Sequence, residues 1–205
     1  MPDIPQRQVR AVFDDTTIVV YQAYPPEIAG AAVAAGTFVA PFKRERMTWI
    51  KPSFLWMMYR SGWASKPGQE RVLAVRITRD GFHEALAGAC LSHFDRTMYD
   101  DAAAWEARKR ETEVRVQWDP ERTPSGAPLP HRSLQVGLSG SAVDAYVSRW
   151  IVGIEDITDD VRDWRALLST DPGVVGAMLP PELPYPLPDD VAGIVGATPA
   201  PASGR

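Results

Sequence analysis

The chain has almost no cysteine: Cys90 stands alone among 205 residues, so no disulfide within the chain can brace the fold. It also lacks any run of roughly 20 apolar residues, the length a membrane-spanning helix needs. The opening MPDIPQRQVR has no apolar centre of the kind that marks a secretory signal. These absences lead to the expectation of a cytoplasmic protein with no membrane partner. The three histidines, His83, His93 and His131, do not fall at zinc-binding spacing, and no metal is expected. Neither common glycine-rich phosphate loop, GxxxxGKS/T or GxGxxG, occurs. GLSGS at 137–141 reads as a strand end and turn, not as a nucleophile elbow.

What is present suits one ordinary domain. A hydrophobic fraction of 45% with a net charge of only -4 excludes a wholly disordered chain and supplies a core. The charge is unevenly spread. Residues 40–80 hold nine Lys and Arg against three acidic residues, a segment charge of about +6 that leaves about -10 for the remainder. A basic segment in an acidic chain is either a landing place for phosphates or a solvated face balanced by acidic neighbours.

Turn signals and periodicity give a mixed order of about six strands with helices. TTIVVYQA at 16–23 is β-branched and aromatic, as a strand requires. An Ala-rich helix follows over 26–35, with Pro in its first turn and Gly36 after its end. The strand-like MTWIK stops at Pro52, and Ser53 is placed to cap a helix over 54–63. RVLAVRIT at 71–78 alternates as a strand does. Helices are expected over 82–91 and 101–111, and strands over 114–118, 133–138 and 151–157. Two more helices are expected, over 141–149 and 159–168. The segment DPERTPSGAPLP reads as a loop. The expected organisation is a single α+β domain over 1–179, then an extended Pro-rich tail over 180–205.

Three fragments resemble the ADP-ribosyltransferase superfamily. VYQAYPPEIAGAAVAAGTF resembles its opening strand and helix, MTWIKPSFLWMMYRSG its second strand and Ser-capped helix, and RSLQVGLSG with IVGIEDIT its closing strands. The resemblance implies an ADP-ribosyltransferase-like split β-sheet with flanking helices and a central cleft for NAD or an ADP-ribose-like nucleotide. Gln22, Trp49 and Gln135 stand where the superfamily has its His, its aromatic residue and its catalytic Glu. If the site is catalytic, the nicotinamide–ribose bond is the one broken. An amide at Gln22 can both donate and accept, whereas Gln135 carries no charge for a developing cation. Tyr21, Tyr24, Thr48, Lys51 and Ser53 flank those positions and are the candidate nucleotide contacts. The segments VYQAY, FKRERMTWIKPSFLWMMYRSGWA, KPGQERVLA, VQWDPER and HRSLQVGLSG further resemble, over most of the chain, the family called domain of unknown function 4291.

Each candidate has an ordinary structural reading beside the functional one. Gln22 could satisfy a buried backbone group, and Trp49 could be core. Lys51, in an otherwise apolar stretch, either snorkels outward or meets an anion. Lys43, Arg44 and Arg46 together with Lys51 form a candidate diphosphate or nucleic-acid grip, and Arg132 either reaches a further phosphate or pairs with Asp119 or Glu121. The rivals to a transferase are a non-catalytic nucleotide or nucleic-acid binding module and a protein-interaction domain that uses the Pro-rich tail.

Overall fold

The computed structural model describes residues 4–198. In order, its elements are β1 (Arg10–Ala11), β2 (Thr17–Tyr24), α1 (Pro26–Ala35), β3 (Thr48–Ile50), α2 (Phe54–Ser61) and β4 (Arg71–Thr78). Then come α3 (Arg79–Ala87), β5 (Ala89–Leu91), α4 (Ala102–Glu111), β6 (Val114–Arg122) and β7 (Pro128–Leu138). The chain closes with α5 (Gly140–Ala145), a π-helical turn (Tyr146–Trp150), β8 (Ile151–Asp156), α6 (Thr158–Leu167), α7 (Pro172–Met178), β9 (Leu183–Pro184) and α8 (Asp189–Val195). The architecture is mixed α+β, as expected. No helix among the described residues is long and apolar enough to cross a membrane.

Two sheets carry the molecule. One is antiparallel, in the order β2-β4-β8; the other has the order β3-β7-β6-β5, with β5 parallel to β6. Edge strands β2 and β3 touch through a single bridge, in which the Tyr21 N–H donates to the Lys51 carbonyl at 2.7 Å. Beyond that bridge their ladder does not continue. The two sheets therefore form one surface split along a seam.

The strand β2 is apolar on both faces because both faces are covered. Ile18 and Val20 lie in the main core with Leu73, Val75 and Ile77 of β4, while Val19 and Tyr21 lie in a second cluster under α2 and α6. The alternation read in 71–78 is thus real, but it sorts residues between two cores.

Three expectations change. The helix expected over 82–91 ends at Ala87, and Ala89–Leu91 becomes β5, because this apolar triplet finds an open edge beside β6. DPERTPSGAPLP is largely strand: β6 and β7 run through it as one hairpin, with Arg122 paired to Pro128. The Pro residues are admitted because the ladder is irregular there, with a register shift between Pro120 and Arg122. The segment read as an extended tail packs as far as it is described. In it β9 pairs with β1, and Tyr185, Val191 and Val195 are buried in the main core. Leu, Tyr and Val between the prolines supply that burial; residues 199–205 lie outside the described part.

Candidate functional site

The seam between β2 and β3 opens into a cleft of about 680 Å³. Its walls come from the end of β2, the loop 41–47, β3, α2, the turn at 68–69, and facing residues of β6 and β7. Strand pairing explains the floor. Trp49 lies opposite Gly137, and Gln117 lies opposite Gln135. Side chains at these positions alternate with Ile50, Val136 and Val116, which face the main core.

Gln22 sits at the seam and is almost wholly buried, 2% exposed. Its amide nitrogen lies 2.8 Å from the Tyr24 hydroxyl, 2.7 Å from the Thr48 hydroxyl and 3.3 Å from the Trp49 carbonyl oxygen. The Tyr146 hydroxyl donates to its Oε1 at 2.6 Å. Tyr24 and Thr48 share a further hydrogen bond of 2.7 Å. The side chain thus stands in for the missing ladder between two parting strands, and the π-helical turn brings Tyr146 to meet it. Burial raises the Tyr24 phenol to about 12 and holds that of Tyr146 well above its usual value, so both hydroxyls stay protonated.

Lys51 is the unusual group. It is 5% exposed, lines the cleft, and has neither an ion pair nor a side-chain hydrogen bond among the described residues. Burial, with the positive charge of Arg60 added, lowers its ammonium to about 8, against the opposing pull of Asp119. Arg60, Lys43 and Arg46 line the same cleft. An ammonium on a largely desolvated cleft wall without a protein counter-ion is costly, and a ligand anion would relieve that cost.

The floor carries a hydrogen-bonded trio. The Gln117 amide donates to one oxygen of Asp119 at 2.8 Å, and the Gln135 amide donates to the other at 2.6 Å. Trp49 lies flat against the sheet: a Cβ added at Gly137 would stand 3.0 Å from its ring carbons and 2.8 Å from the Met47 sulfur. No other aromatic ring stacks on Trp49 among the described residues.

The cleft thus gathers eight of the expected residues: Gln22, Tyr24, Lys43, Arg46, Thr48, Trp49, Lys51 and Gln135. It does not gather the other four. Tyr21 points into the second core, edge-on to Phe54. Arg44 pairs with Asp144 at 3.2 Å. Arg132 donates to the Trp118 carbonyl, and pairs with neither Asp119 nor Glu121. Ser53 caps α2, accepting from the Trp56 N–H, while Glu182 accepts from the Phe54 N–H at 2.5 Å. The first N–H of α2 is therefore already met by a carboxyl from the C-terminal segment. Arg60, Gln117 and Asp119 were missed. The alternation of VQWD places Gln117 and Asp119 on one strand face, but only the hairpin register puts them beside Gln135.

A sequence model of the family described as Domain of unknown function (DUF4291) matches residues 8–185. No protein of curated function matches the chain.

Proposed function

The chain belongs to the DUF4291 family, and from the chemistry of its cleft we propose that it binds a phosphorylated nucleotide at the seam between the two sheets. The observation that carries this reading is Lys51, a buried ammonium without a partner among the described residues that faces a cavity also lined by Arg60, Lys43 and Arg46. Cations of this number suit a diphosphate, and the exposed flank of Trp49 suits a flat ring. A volume of about 680 Å³ suits a ligand of nucleotide size.

NAD or an ADP-ribose-like nucleotide is the ligand we put first. In support, the positions matched to the ADP-ribosyltransferase superfamily, Gln22, Trp49 and Gln135, all line one cleft at a split between sheets. On this reading the fold is that superfamily's split sheet. The reaction would be transfer of ADP-ribose: the bond from ribose C1 to nicotinamide breaks and nicotinamide leaves. An acceptor oxygen or nitrogen, of a nucleic acid or a phosphate, then bonds to C1 and gives up its proton. Gln22 keeps the seam in shape through its four partners, and Lys51 with Arg60 would hold the diphosphate. Gln135 brings no charge of its own but rests on the Asp119 carboxylate.

The rival is a binding module without turnover. It is favoured by the exposed Lys43 and Arg46 at the cleft mouth, which suit a nucleic-acid backbone. Calorimetric titration with pyrophosphate, ADP-ribose and NAD separates these readings. Wild-type protein should bind all three, and Lys51→Met should weaken each by tenfold or more. Undiminished binding by Lys51→Met would sink the anion assignment. Release of nicotinamide from NAD would mark a transferase or glycohydrolase, and steeply salt-dependent binding of oligonucleotides without such release would mark the module.

A further inference from the structure

The floor of the cleft has a polarity of its own. A carboxylate can only accept hydrogen bonds, so both amides that meet Asp119 must present their nitrogens to it. Their oxygens are thereby turned away. Neither Gln117 Oε1 nor Gln135 Oε1 has a hydrogen-bond donor among the described residues, and both residues line the cleft. The two residues are directly paired across β6 and β7 and both line the cleft, so the two free acceptors belong to neighbouring side chains of its floor. Next to them on the same face is the flat, unstacked indole of Trp49, seated against Gly137.

We propose that this trio makes the cleft selective for a planar ring whose edge carries N–H donors, the ring stacking on Trp49 and its donors meeting the oxygens of Gln117 and Gln135. Asp119 is the positioning residue that holds both oxygens toward the ligand. Two nucleotide chemistries offer such an edge: guanine, with its ring N–H and adjacent amino group, and the carboxamide of nicotinamide. Adenine places a ring acceptor on the corresponding edge, and a nicotinic acid carboxylate has acceptors only. Both would set lone pairs against lone pairs. The proposal rests on the reading that the cleft takes a nucleotide, and it adds which rings that nucleotide carries.

The test measures two affinity ratios by calorimetry: GMP against AMP, and NAD against nicotinic acid adenine dinucleotide. In the wild-type protein at least one ratio should favour the donor-bearing ring by roughly tenfold, the value of one well-made hydrogen bond and one avoided clash. In Asp119→Asn that ratio should fall toward one, because an Asn amide also donates and lets either Gln turn. Gln117→Met, which keeps the bulk and removes one acceptor, should lower the same ratio and guards against misfolding of the first variant. Each ratio compares two ligands on one protein, so a general change in anion affinity cancels. A preference confined to the first pair assigns guanine, and one confined to the second assigns the carboxamide. Ratios near one in the wild type, or ratios unchanged in both variants, overturn the proposal. Pyrophosphate binding lost with Lys51→Met alongside ratios near one would leave the anion reading standing and remove only this inference. Ratios that hold while Lys51→Met binds normally would do the reverse.

Discussion

Lys51 owes its character to its neighbours more than to its own chemistry. Pro52 ends β3 one residue later, and the single bridge to Tyr21 draws the Lys51 backbone into the seam. The side chain is left in the cleft wall, largely out of solvent, with the like charge of Arg60 acting on it. With the ammonium lowered to about 8, the free protein loses that charge as pH rises through 8. A ligand anion favours the charged form, so binding must take up protons around and above that pH. Affinity for pyrophosphate should therefore fall between pH 7 and 9, and the heat of binding should depend on the ionisation heat of the buffer at pH 8.5. In Lys51→Met the fall in affinity should disappear and the buffer dependence should shrink to what pyrophosphate's own ionisation supplies. A flat affinity profile for the wild type across that range would show that Lys51 is not the group that meets the anion.

At the scale of elements, β3 and β7 matter most because they carry the floor. Gly137 is where the two strands allow close approach: a methyl group there would stand 2.8 Å from the Met47 sulfur and 3.0 Å from two carbons of Trp49. Gly137→Ala should thus push the indole off the sheet, and overpacking of this kind costs about 1–3 kcal/mol. We expect a lower urea midpoint and weaker nucleotide binding together, with a shifted tryptophan emission maximum. Retention of full nucleotide affinity by this variant would mean that Trp49 is not the stacking surface. The hairpin β6–β7 matters for a second reason. Its register, not its composition, sets Gln117 against Gln135 and leaves Asp119 within reach of both amides.

At the scale of the molecule, the C-terminal segment closes over the start of the chain. β9 pairs with β1, Trp118 donates to the Val195 carbonyl, and Glu182 reaches the first N–H of α2. Glu182 is partly buried. Burial pushes its pKa up to about 8, the Phe54 N–H and Arg10 pull it down, and Glu121 adds to the rise. Glu121 is itself raised, chiefly by burial, against hydrogen bonds from Ser53 and the Arg122 N–H and the charges of Arg10 and Arg122. A pKa raised on folding means that the native state holds an extra proton between the ordinary value of 4.5 and about 8. The associated stability is full below pH 4.5 and is lost as pH climbs through 8. Glu182→Gln keeps an acceptor for Phe54 and removes the titration. Its urea midpoint should decline less than that of the wild type between pH 4.5 and 8. An identical decline in both proteins would assign the loss to other groups.

Local chemistry was enough for much of this protein. Thr17–Tyr24 and Arg71–Thr78 are strands because both segments are rich in β-branched residues, and α1 and α2 end at Gly36 and Gly62, both left-handed. Of the eight cleft residues legible in the sequence, seven cluster in two short segments, and the resemblance singled out Gln22, Trp49 and the distant Gln135. The remainder depended on contacts distant in sequence. Ala89–Leu91 is apolar enough for a helix or a strand, and only the free edge of β6 selects the strand. Tyr185, Val191 and Val195 are sparse among prolines, and their burial depends on a core built by other elements. Asp119 reads as the start of a loop until β7 folds back on it. The sequence by itself determined the α+β elements, their caps and the cations near the seam, because these follow from residue type and spacing over a few positions. Tertiary structure alone decided that Lys51 lost most of its solvent and that Gln117 and Gln135 line one cleft with their amide nitrogens held by Asp119. Burial and strand register are properties of the assembled chain, and no single segment contains them.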